Sequence, residues 1–312
     1  MKSIWTMGEA IMEIMRDKPD VPHNQPGVYL GPYPSGAPAI MISSAARMGA
    51  PAGIIGCVGC DAFGDLLRRR LEACGVDCRY LSRCESRATG VAFVMYRADG
   101  SRSFIFHIDG SAAVEAGITE LEQVDFSGIF HVMGCSLTAS PSFAEKIQAV
   151  ADRFVASGGK LSFDPNIRPE LLRGGDLRKM IQPILEHCSY LLPGVEELLL
   201  LSGCNTVEKA VQMLFENPVL EVIALKNGSR GCTVYTRNGE AAVPACSVTQ
   251  VDATGAGDCF DGAFLAALLQ GKPFEQAAAE ANAAGALNAA AFGPMEGDIS
   301  PDTVSDLLRR QK

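Results

Sequence analysis

Residues 251–264 read VDATGAGDCFDGAF, and this stretch decides which kind of fold the chain adopts. After Gly257 the apolar residues recur at helical spacing as far as Leu268. Gly271, which is followed by a proline, marks the expected end of that helix. The glycine-rich run is therefore predicted to lie at a helix N-terminus.

This position has a chemical meaning. The first N–H groups of a helix lack intrahelical partners, and the helix dipole favours negative charge. Gly255 and Gly257 let the backbone approach an anion closely. Asp258 falls in the first turn, where its carboxylate can take a proton from a hydroxyl that attacks phosphorus. The residues thus indicate phosphoryl transfer, and a tight strand-to-helix turn with an acidic start is the alternative that spacing alone leaves open.

Other phosphate and catalytic motifs are missing from the sequence. It has no Gly-x-x-x-x-Gly-Lys-Ser/Thr and no His-Glu-x-x-His, and Gly255-x-Gly257 lacks the third glycine of the dinucleotide fingerprint. A P-loop enzyme and a dinucleotide-dependent dehydrogenase are therefore disfavoured.

Length, composition and charge place the chain among ordinary globular proteins. It has 312 residues, of which 47% are hydrophobic and 20% charged, with a formal net charge of -9. The length suits one large α/β domain with an appendage, or two small domains. An acidic balance argues against nucleic acid or an anionic membrane as partner. No signal peptide or membrane-spanning run is visible, so a cytoplasmic location is expected.

The eleven cysteines are fewer than a disulfide scaffold requires, and we expect reduced thiols. Cys57-x-x-Cys60 lacks the second ligand pair of a zinc site, which leaves a redox pair as the alternative to two incidental thiols.

Strand-like and helix-like patterns alternate from Lys160 onward, which predicts a mainly parallel sheet covered on both faces. We expect strands at 160–163, 190–192 and 221–226, and helices at 176–188, 195–202 and 206–215.

The N-terminal part has a different pattern. Residues 90–96 and 102–107 read as a hairpin without an intervening helix. We therefore expect a small β lid formed by residues 11–34 and 88–110. The remaining segments, 1–10, 35–87 and 111–312, would form the main α/β domain that binds nucleotide and substrate.

The run Asp252-Ala-Thr-Gly-Ala-Gly-Asp258 resembles the C-terminal signature of the ribokinase-like (PfkB) carbohydrate kinases. Residues 35–39 (SGAPA), 46–49 (ARMG) and 55–64 (IGCVGCDAFG) resemble the N-terminal signature. The resemblance spans nearly the whole chain. It implies a three-layer sandwich with a mainly parallel central sheet flanked by helices, plus a small β-sheet lid. It also implies ATP and Mg²⁺ as cofactors, possible activation by K⁺, and a homodimer formed through the lid.

The resemblance further implies roles for individual residues. Asp258 matches the catalytic base, and the backbone of Gly255, Ala256 and Gly257 matches the anion hole. Substrate binding falls to Glu13, Ser35, Gly36, Ile40, Tyr96, Arg102, Asp164 and Arg168. Nucleotide binding falls to Glu197, Lys226, Gly228, Gly231, Asn282, Ala286 and Asn288. Glu197 would contact Mg²⁺ indirectly, and Asp252, Ala291 and Gly293 match the loop that binds a monovalent cation.

The chain departs from the family pattern at two sites. Ile40 stands where many members have an asparagine that contacts the sugar, and Gly194 replaces the asparagine of Asn-x-x-Glu. Three assignments have structural alternatives. Glu13 could instead be a solvated lid residue, and Arg168 could be a structural partner of a carboxylate. Glu197 could be an acidic residue at a helix N-terminus, stabilised by the helix dipole.

The expected reaction is transfer of the ATP γ-phosphate to a primary hydroxyl of a small sugar. A ketohexose such as fructose or tagatose ranks first as substrate. 2-Keto-3-deoxygluconate ranks second, and Arg102 and Arg168 would then bind its carboxylate. A nucleoside ranks third. From a different class, the chain would be a catalytically silent sugar-binding regulator. The intact Gly-Ala-Gly-Asp run argues against that alternative.

Overall fold

The computed structural model describes residues 2–172 and 176–311, and its strands form two separate sheets. In chain order the strands are β1 (Ile4–Met7), β2 (Ile11–Arg16), β3 (Tyr29–Ser35), β4 (Ala52–Gly59), β5 (Asp77–Cys84), β6 (Gly90–Tyr96), β7 (Arg102–His107), β8 (Ile129–Met133), β9 (Lys160–Asp164), β10 (Cys188–Leu191), β11 (Val222–Lys226), β12 (Cys232–Thr236) and β13 (Gly239–Val243). The α-helices are α1 (Ala37–Arg47), α2 (Ala62–Ala73), α3 (Gly134–Ala139), α4 (Pro141–Ala156), α5 (Leu177–Glu186), α6 (Val195–Ser202), α7 (Val207–Leu214), α8 (Ala256–Leu269), α9 (Phe274–Ala289) and α10 (Pro301–Arg310).

The main sheet has the strand order β13-β12-β11-β10-β9-β8-β1-β4-β5. All pairings from β5 through β11 are parallel. Only β12 and β13, at the opposite edge, pair in the antiparallel sense among the described strands of this sheet. This architecture confirms the predicted mainly parallel sheet.

The main sheet separates two hydrophobic cores because successive side chains of a strand point to opposite faces. Ile4 and Ile54 belong to the core that contains residues of α1, α2, α8, α9 and α10. Trp5 and Ile55, their neighbours in sequence, belong to the core under α4 to α7. The result is the three-layer sandwich expected from the alternating pattern.

Trp5, the only tryptophan of the chain, lies deep in the second core. It is 4% exposed, and its ring lies 5.7 Å from that of Tyr80, at an angle of 56°. A Cβ added at Gly53 on the neighbouring strand would lie 2.3 Å from the Trp5 ring. Only glycine at position 53 leaves space for the indole.

The smaller sheet has the order β3-β2-β6-β7, with β2 and β6 parallel and the outer pairs antiparallel. The expected hairpin is present as β6 and β7, in which Tyr96 pairs directly with Arg102. The role of this sheet as a lid, and the domain boundaries at 11–34 and 88–110, stay predictions.

The elements expected between residues 160 and 226 are all present, with ends that differ by a few residues. The helix expected at 176–188 spans Leu177–Glu186, because the Asp176 side chain accepts a hydrogen bond from the Lys179 N–H and caps it. All eleven cysteines are free thiols, with Cys57 buried and Cys60 exposed. Within residues 2–172 and 176–311, no helix combines the length and apolar character needed to cross a membrane.

Candidate active site

A cavity of about 250 Å³ lies between the main sheet and the smaller sheet. Main-sheet strands and their following loops contribute charged groups, among them the buried Glu9 and Asp164 and the partly buried Lys226. The smaller sheet contributes Glu13 from β2 and aromatic residues from β7. Ligands of open α/β sheets bind at the carboxyl ends of the strands, and this cavity occupies that position. Its lining includes Glu9, Ile11, Glu13, Gly36, Ile40, Arg102, Phe104, Phe106, Asp164, Asn166, Arg168, Glu197, Lys226, Thr254, Gly255, Gly257 and Asp258.

The start of α8 forms one wall of the cavity. Gly255 caps the helix with φ +76°, and a Cβ at this position would lie 2.3 Å from the Pro294 carbonyl oxygen. A side chain at 255 would therefore meet both a backbone clash and left-handed strain. Gly257 has open space instead, with only the Lys226 Nζ as near as 3.9 Å to a Cβ placed there. Gly255 and Gly257 both line the cavity, so the backbone at the helix start is accessible from it, although the Ala256 N–H donates to the Ala253 carbonyl at 3.3 Å.

Asp258 lies in the first turn of α8 and is 7% exposed. The Asn166 Nδ2 donates a hydrogen bond of 3.0 Å to its Oδ1, which orients the carboxylate. Burial, reinforced by the negative charge of Asp164, raises the pKa of Asp258 to about 6, although Arg168 and Lys226 oppose the shift. A carboxyl group with this pKa is ionised at neutral pH and is a better proton acceptor than an ordinary aspartate.

Lys226, at the end of β11, joins two buried carboxylates. Its Nζ donates to Asp164 Oδ2 at 2.8 Å and to Asp261 Oδ1 at 3.0 Å. Burial by itself lowers the pKa of Lys226, but the two carboxylates together raise it above its usual value. Burial is the largest single influence on the pKa of Asp164 and raises it, but the charge of Lys226 and the hydrogen bonds from Lys226 and Asp261 together lower it below its usual value. Burial raises the pKa of Asp261 well above its ordinary range, although Lys226 opposes the shift. Lys226 is therefore a permanent cation at the floor of the site.

The donor chemistry of this floor fits Mg²⁺. One oxygen from each of Asp164, Asp258 and Asp261 lies within 4.8 Å of the others, and carboxylate oxygens are the ligands that Mg²⁺ prefers. Lys226 already forms ion pairs with Asp164 and Asp261, so these three carboxylates cannot all bind a metal ion directly. The arrangement suits an ion that arrives with phosphate oxygens and keeps part of its water.

Glu197 lies in the first turn of α6 and also lines the cavity. Its Oε2 accepts the Gly194 N–H at 2.8 Å, and its Oε1 accepts the Ile167 N–H at 2.9 Å. The helix-capping role considered as the alternative is thus present. The indirect role of Glu197 toward Mg²⁺ stays a prediction.

Glu13 is 6% exposed and is therefore not a solvated residue. Its Oε2 is buried without a hydrogen-bond partner among the described residues. Burial raises the pKa of Glu13 to about 7, with Arg102 partly opposing the shift. An unpaired buried oxygen is costly, and a hydroxyl of a bound sugar would satisfy it.

The predicted sugar-side residues of the main domain come together next to Glu13. Gly36 lines the cavity at the N-cap of α1, and a Cβ there would lie 2.3 Å from the Glu9 carbonyl oxygen. Ile40, one turn later, presents an apolar surface and is 2% exposed. Ser35 is fully buried and lies just behind this lining rather than in it.

Two arginines face the cavity without a carboxylate partner. Within the described part of the chain, Arg102 and Arg168 form no ion pair within 4.0 Å. Arg168 donates to the Ile167 carbonyl and lies 5.9 Å from the Phe104 ring, and Arg102 donates to Thr254 Oγ1 at 3.0 Å. The alternative of Arg168 as the structural partner of a carboxylate finds no support in these contacts.

A second cavity of about 420 Å³ adjoins the first on the other side of Gly257. It is lined mostly by small and uncharged residues from the β11–β12 turn, from α8 and from α9. Lys226 is its only charged lining residue among those described. The predicted nucleotide residues Gly228, Gly231, Asn282 and Ala286 all lie here.

Asn288 lies elsewhere than predicted. It is fully buried, its Nδ2 donates to the Thr254 carbonyl at 2.8 Å, and its Oδ1 accepts the Gly297 N–H at 3.2 Å. It therefore supports the loop before α8 and does not line the second cavity. The prediction assigned it to the nucleotide site on the resemblance alone. Asn282 and Ala286 are four residues apart and share a helix face, whereas Asn288 follows Ala286 by two residues and falls on another face.

Tyr96 also differs from its prediction. Its hydroxyl donates to Asp252 Oδ2 at 3.1 Å and lies 3.2 Å from Thr254 Oγ1, outside the lining of the sugar cavity. Asp252 also accepts the Gly293 N–H at 3.1 Å, while the Ala291 N–H donates to the Asn288 carbonyl. Binding of a monovalent cation by Asp252, Ala291 and Gly293 stays a prediction.

Three residues in or next to the cavity received no role from the sequence, namely Glu9 and Asn166 in its lining and Asp261 directly behind it. Glu9 is 3% exposed and accepts hydrogen bonds from Ser136 Oγ at 2.6 Å and Cys135 Sγ at 3.2 Å. Asn166 orients Asp258, and Asp261 pairs with Lys226. Asp261 follows Asp258 by three residues, so its place on the same helix face was detectable. The contacts of Glu9 and Asn166 arise from segments far apart in sequence and had no local signal.

Comparison with known proteins gives a consistent result. The model of the pfkB family carbohydrate kinases matches residues 1–301. Fructokinase-1 of rice (Oryza sativa subsp. japonica) is 35% identical over 270 residues, covering 83% of each chain. An Escherichia coli protein provisionally called ribokinase II, solved with ATP and Mg²⁺, is 39% identical over 99% of this chain and all of that one, with a TM-score of 0.90. A double mutant of Vibrio cholerae O395 fructokinase, solved with fructose, ADP and potassium, is 26% identical over 99% of this chain and 98% of that one, with a TM-score of 0.85.

Proposed function

Because the chain belongs to the pfkB family of carbohydrate kinases, we propose that it transfers the γ-phosphate of ATP to a primary hydroxyl of a ketohexose such as fructose or tagatose. The observation that carries this proposal is Asp258, a buried carboxylate with a pKa of about 6 at the N-terminus of α8. The similarity to rice fructokinase-1, and to a fructokinase solved with fructose, supports the choice of sugar.

Asp258 acts as the general base in this proposal. Asn166 holds Oδ1, which leaves Oδ2 to accept the proton of the sugar hydroxyl as that oxygen attacks the γ-phosphorus. The proton ends on Asp258, the new O–P bond forms on the sugar, and ADP leaves. General-base catalysis of this kind contributes about 10²- to 10⁴-fold to the rate.

The surrounding groups stabilise the charge that moves during transfer. The backbone of Gly255, Ala256 and Gly257 at the helix start stabilises the transferring phosphoryl group, for which the Ala256 N–H would exchange its present 3.3 Å hydrogen bond to the Ala253 carbonyl. Lys226 and Arg168 contribute fixed positive charge from the other side. Mg²⁺ supplies further charge neutralisation on the phosphate oxygens, and Asp164 and Glu197 would hold its water.

ATP occupies the second cavity, with the adenine against the small residues of α9 near Ala286. Phosphates then extend past Gly257 to the helix start that the two cavities share. The smaller sheet covers the sugar as a lid and excludes water, which suppresses ATP hydrolysis without a sugar. Potassium activates through the loop near Asp252, as the potassium-bound neighbour suggests.

We also propose a homodimer formed through the smaller sheet. Leu30 on β3 and Ile105 on β7 are 38% and 42% exposed, and Val28, which directly precedes β3, is 57% exposed. Exposed apolar residues on an open sheet are a pairing surface. Sedimentation equilibrium should give twice the monomer mass, and replacing Ile105 with Lys should yield a monomer. A wild-type monomer at high protein concentration would contradict this proposal.

The test of the main proposal is a coupled ADP-release assay with ATP and Mg²⁺. The panel contains ketohexoses, aldoses, 2-keto-3-deoxygluconate and nucleosides, each with and without KCl. We expect the strongest response with a ketohexose. Folded, ATP-binding protein that releases no ADP with any sugar would instead favour the silent regulator.

The acid sugar 2-keto-3-deoxygluconate is the second candidate, because Arg102 and Arg168 face the cavity and form no ion pair with any residue in 2–172 and 176–311. If it is the substrate, Arg168→Ala should lose most of its kcat/KM for this sugar, whereas exposed Arg310→Ala should not. Intact activity of Arg168→Ala with the acid sugar would remove this candidate.

Replacing Asp258 with Asn removes the base while keeping the size of the side chain. We expect kcat to fall by about 10³-fold, with the melting temperature and ATP affinity nearly unchanged. In the wild type, kcat should fall as the pH drops through about 6, because the carboxylate of Asp258 then becomes protonated. Sugar-dependent turnover near the wild-type rate in Asp258→Asn would disprove its role as the base.

A further inference from the structure

Two side chains of the smaller sheet reach across to the segment that precedes α8. Tyr96 and Arg102 are a directly opposed pair on β6 and β7. The Tyr96 hydroxyl donates to Asp252 Oδ2 at 3.1 Å and contacts Thr254 Oγ1 at 3.2 Å. Arg102 Nη1 donates to the same Thr254 oxygen at 3.0 Å. The end of this hairpin is thus attached to residues 252–254.

Asp252 is the centre of the segment that receives these contacts. It is 4% exposed, and its Oδ1 accepts the N–H and the hydroxyl of Thr254 at 2.9 and 2.7 Å. Its Oδ2 accepts the Gly293 N–H at 3.1 Å in addition to the Tyr96 hydroxyl. No Lys or Arg ion pair to Asp252 occurs in residues 2–172 and 176–311. The buried carboxylate of Asp252 is therefore stabilised by hydrogen bonds, one of which comes from Tyr96 on the smaller sheet.

Thr254 transmits this attachment to the phosphate-binding backbone. It directly precedes Gly255, which must keep a left-handed conformation against Pro294. Asn288 donates a hydrogen bond to the Thr254 carbonyl, whereas the residues of the smaller sheet contact the Thr254 side chain. A shift of Thr254 would turn the N–H groups of residues 255–257 away from the transferring phosphoryl group. Small misplacements of such groups reduce rates strongly.

We propose that Tyr96 and Arg102 are positioning residues that align the anion-hole backbone, so that phosphoryl transfer depends on the placement of the smaller sheet. This inference rests on the proposed kinase function. The smaller sheet then does more than cover the sugar, because its hairpin completes the phosphate site. Arg102 also lines the sugar cavity, so its substitution would change two functions at once. Tyr96 lies outside that lining and gives the cleaner test.

The test compares Tyr96→Phe with a matched control, Tyr29→Phe. Tyr29 lies in the same sheet, and its hydroxyl bonds to His23 rather than to the loop. For Tyr96→Phe we expect kcat to fall about tenfold, as expected for the loss of a hydrogen bond to a charged group, with the sugar KM within about twofold of the wild type. The melting temperature should stay close to that of the control. A kcat within about twofold of the wild type, or an effect on KM alone, would overturn the proposal.

Thr254→Val provides a second arm. Because Tyr96 and Thr254 act through one network, the double variant should lose less kcat than the product of the two single losses. Independent, multiplicative losses would contradict the shared network.

Amide hydrogen exchange tests the same idea without any activity. In Tyr96→Phe, a peptide covering residues 252–258 should exchange faster than in the wild type and in Tyr29→Phe, with the rest of α8 unchanged. Unchanged exchange would overturn the inference. A wild type that releases no ADP with any sugar would instead refute the kinase proposal, and the exchange result would still decide the positioning role.

Discussion

The two cavities that meet at Gly257 are built from different materials. The first cavity, which we propose holds the sugar, has buried acids such as Glu13, Asp164 and Asp258. Its cations Arg102, Arg168 and Lys226 are partly buried. The second cavity, which we propose holds the nucleotide, is lined mostly by small uncharged residues. Lys226, at the boundary between the two cavities, is the one charged residue in the described part of this lining. In the proposed reaction, charged residues are concentrated where a proton and a phosphoryl group move. The second cavity would bind the nucleotide through the space that its small side chains leave.

This difference predicts where substitutions act. On the charged side, removing one group leaves another unpaired at low dielectric, which affects folding as well as chemistry. On the neutral side, an added side chain changes the space for the nucleotide and little else. Three experiments test this contrast, beginning with the largest expected effect.

Lys226→Met should destabilise the protein by about 3–5 kcal/mol, because Asp164 and Asp261 then remain buried without their cation. Urea denaturation monitored by circular dichroism measures this loss. The matched control is Lys272→Met, which breaks a more exposed pair with Glu280 and should cost less than about 1 kcal/mol. Equal losses in both variants would show that the cluster around Lys226 is not electrostatically special.

Ala286→Leu should fill the nucleotide groove and raise the KM for ATP about tenfold, while kcat at saturating ATP and the sugar KM stay within about threefold. The control is Ala290→Leu, at the exposed C-cap of the same helix. Steady-state kinetics with varied ATP decide the matter. An unchanged KM for ATP would mean that the adenine of ATP binds away from Ala286.

The smallest expected effect concerns Glu13, whose pKa of about 7 makes its charge depend on pH near neutrality. An ionised carboxylate accepts stronger hydrogen bonds from sugar hydroxyls than a protonated one. The sugar KM of the wild type should therefore fall about threefold as the pH rises through about 7. In Glu13→Gln this dependence should disappear, with the KM for ATP as the internal control. A pH dependence that persists in Glu13→Gln would assign it to another group.

The sequence was most informative where local pattern and local structure coincide. The helix after Gly257, the hairpin at 90–107 and the strand–helix alternation after Lys160 each depend on spacing within one segment, and each is present. The antiparallel edge of the main sheet, β12 and β13, was not predicted, because the following strands carry no continuous apolar run to distinguish them from loops.

The site was predictable in part for the same reason. Motif residues such as Asp258 and Gly255 lie together because they are neighbours in one segment. Tyr96 and Asn288 were assigned to binding surfaces, but their side chains turn toward the loop at 252–254. The contact of Tyr96 depends on the packing of a distant segment, which no spacing rule within β6 specifies. Asn288 follows Ala286 by two residues and falls on a different face of α9, so its separation from Asn282 and Ala286 was detectable.

The burial of Trp5 has a practical consequence for spectroscopy. Because the only indole of the chain lies in the core between β1 and the helices, its emission should report the solvent exposure that accompanies global unfolding. The same isolation from both cavities makes it a poor reporter of nucleotide or sugar binding. Intrinsic fluorescence thus offers a denaturation signal with little interference from ligands, and a ligand titration would need an added fluorophore.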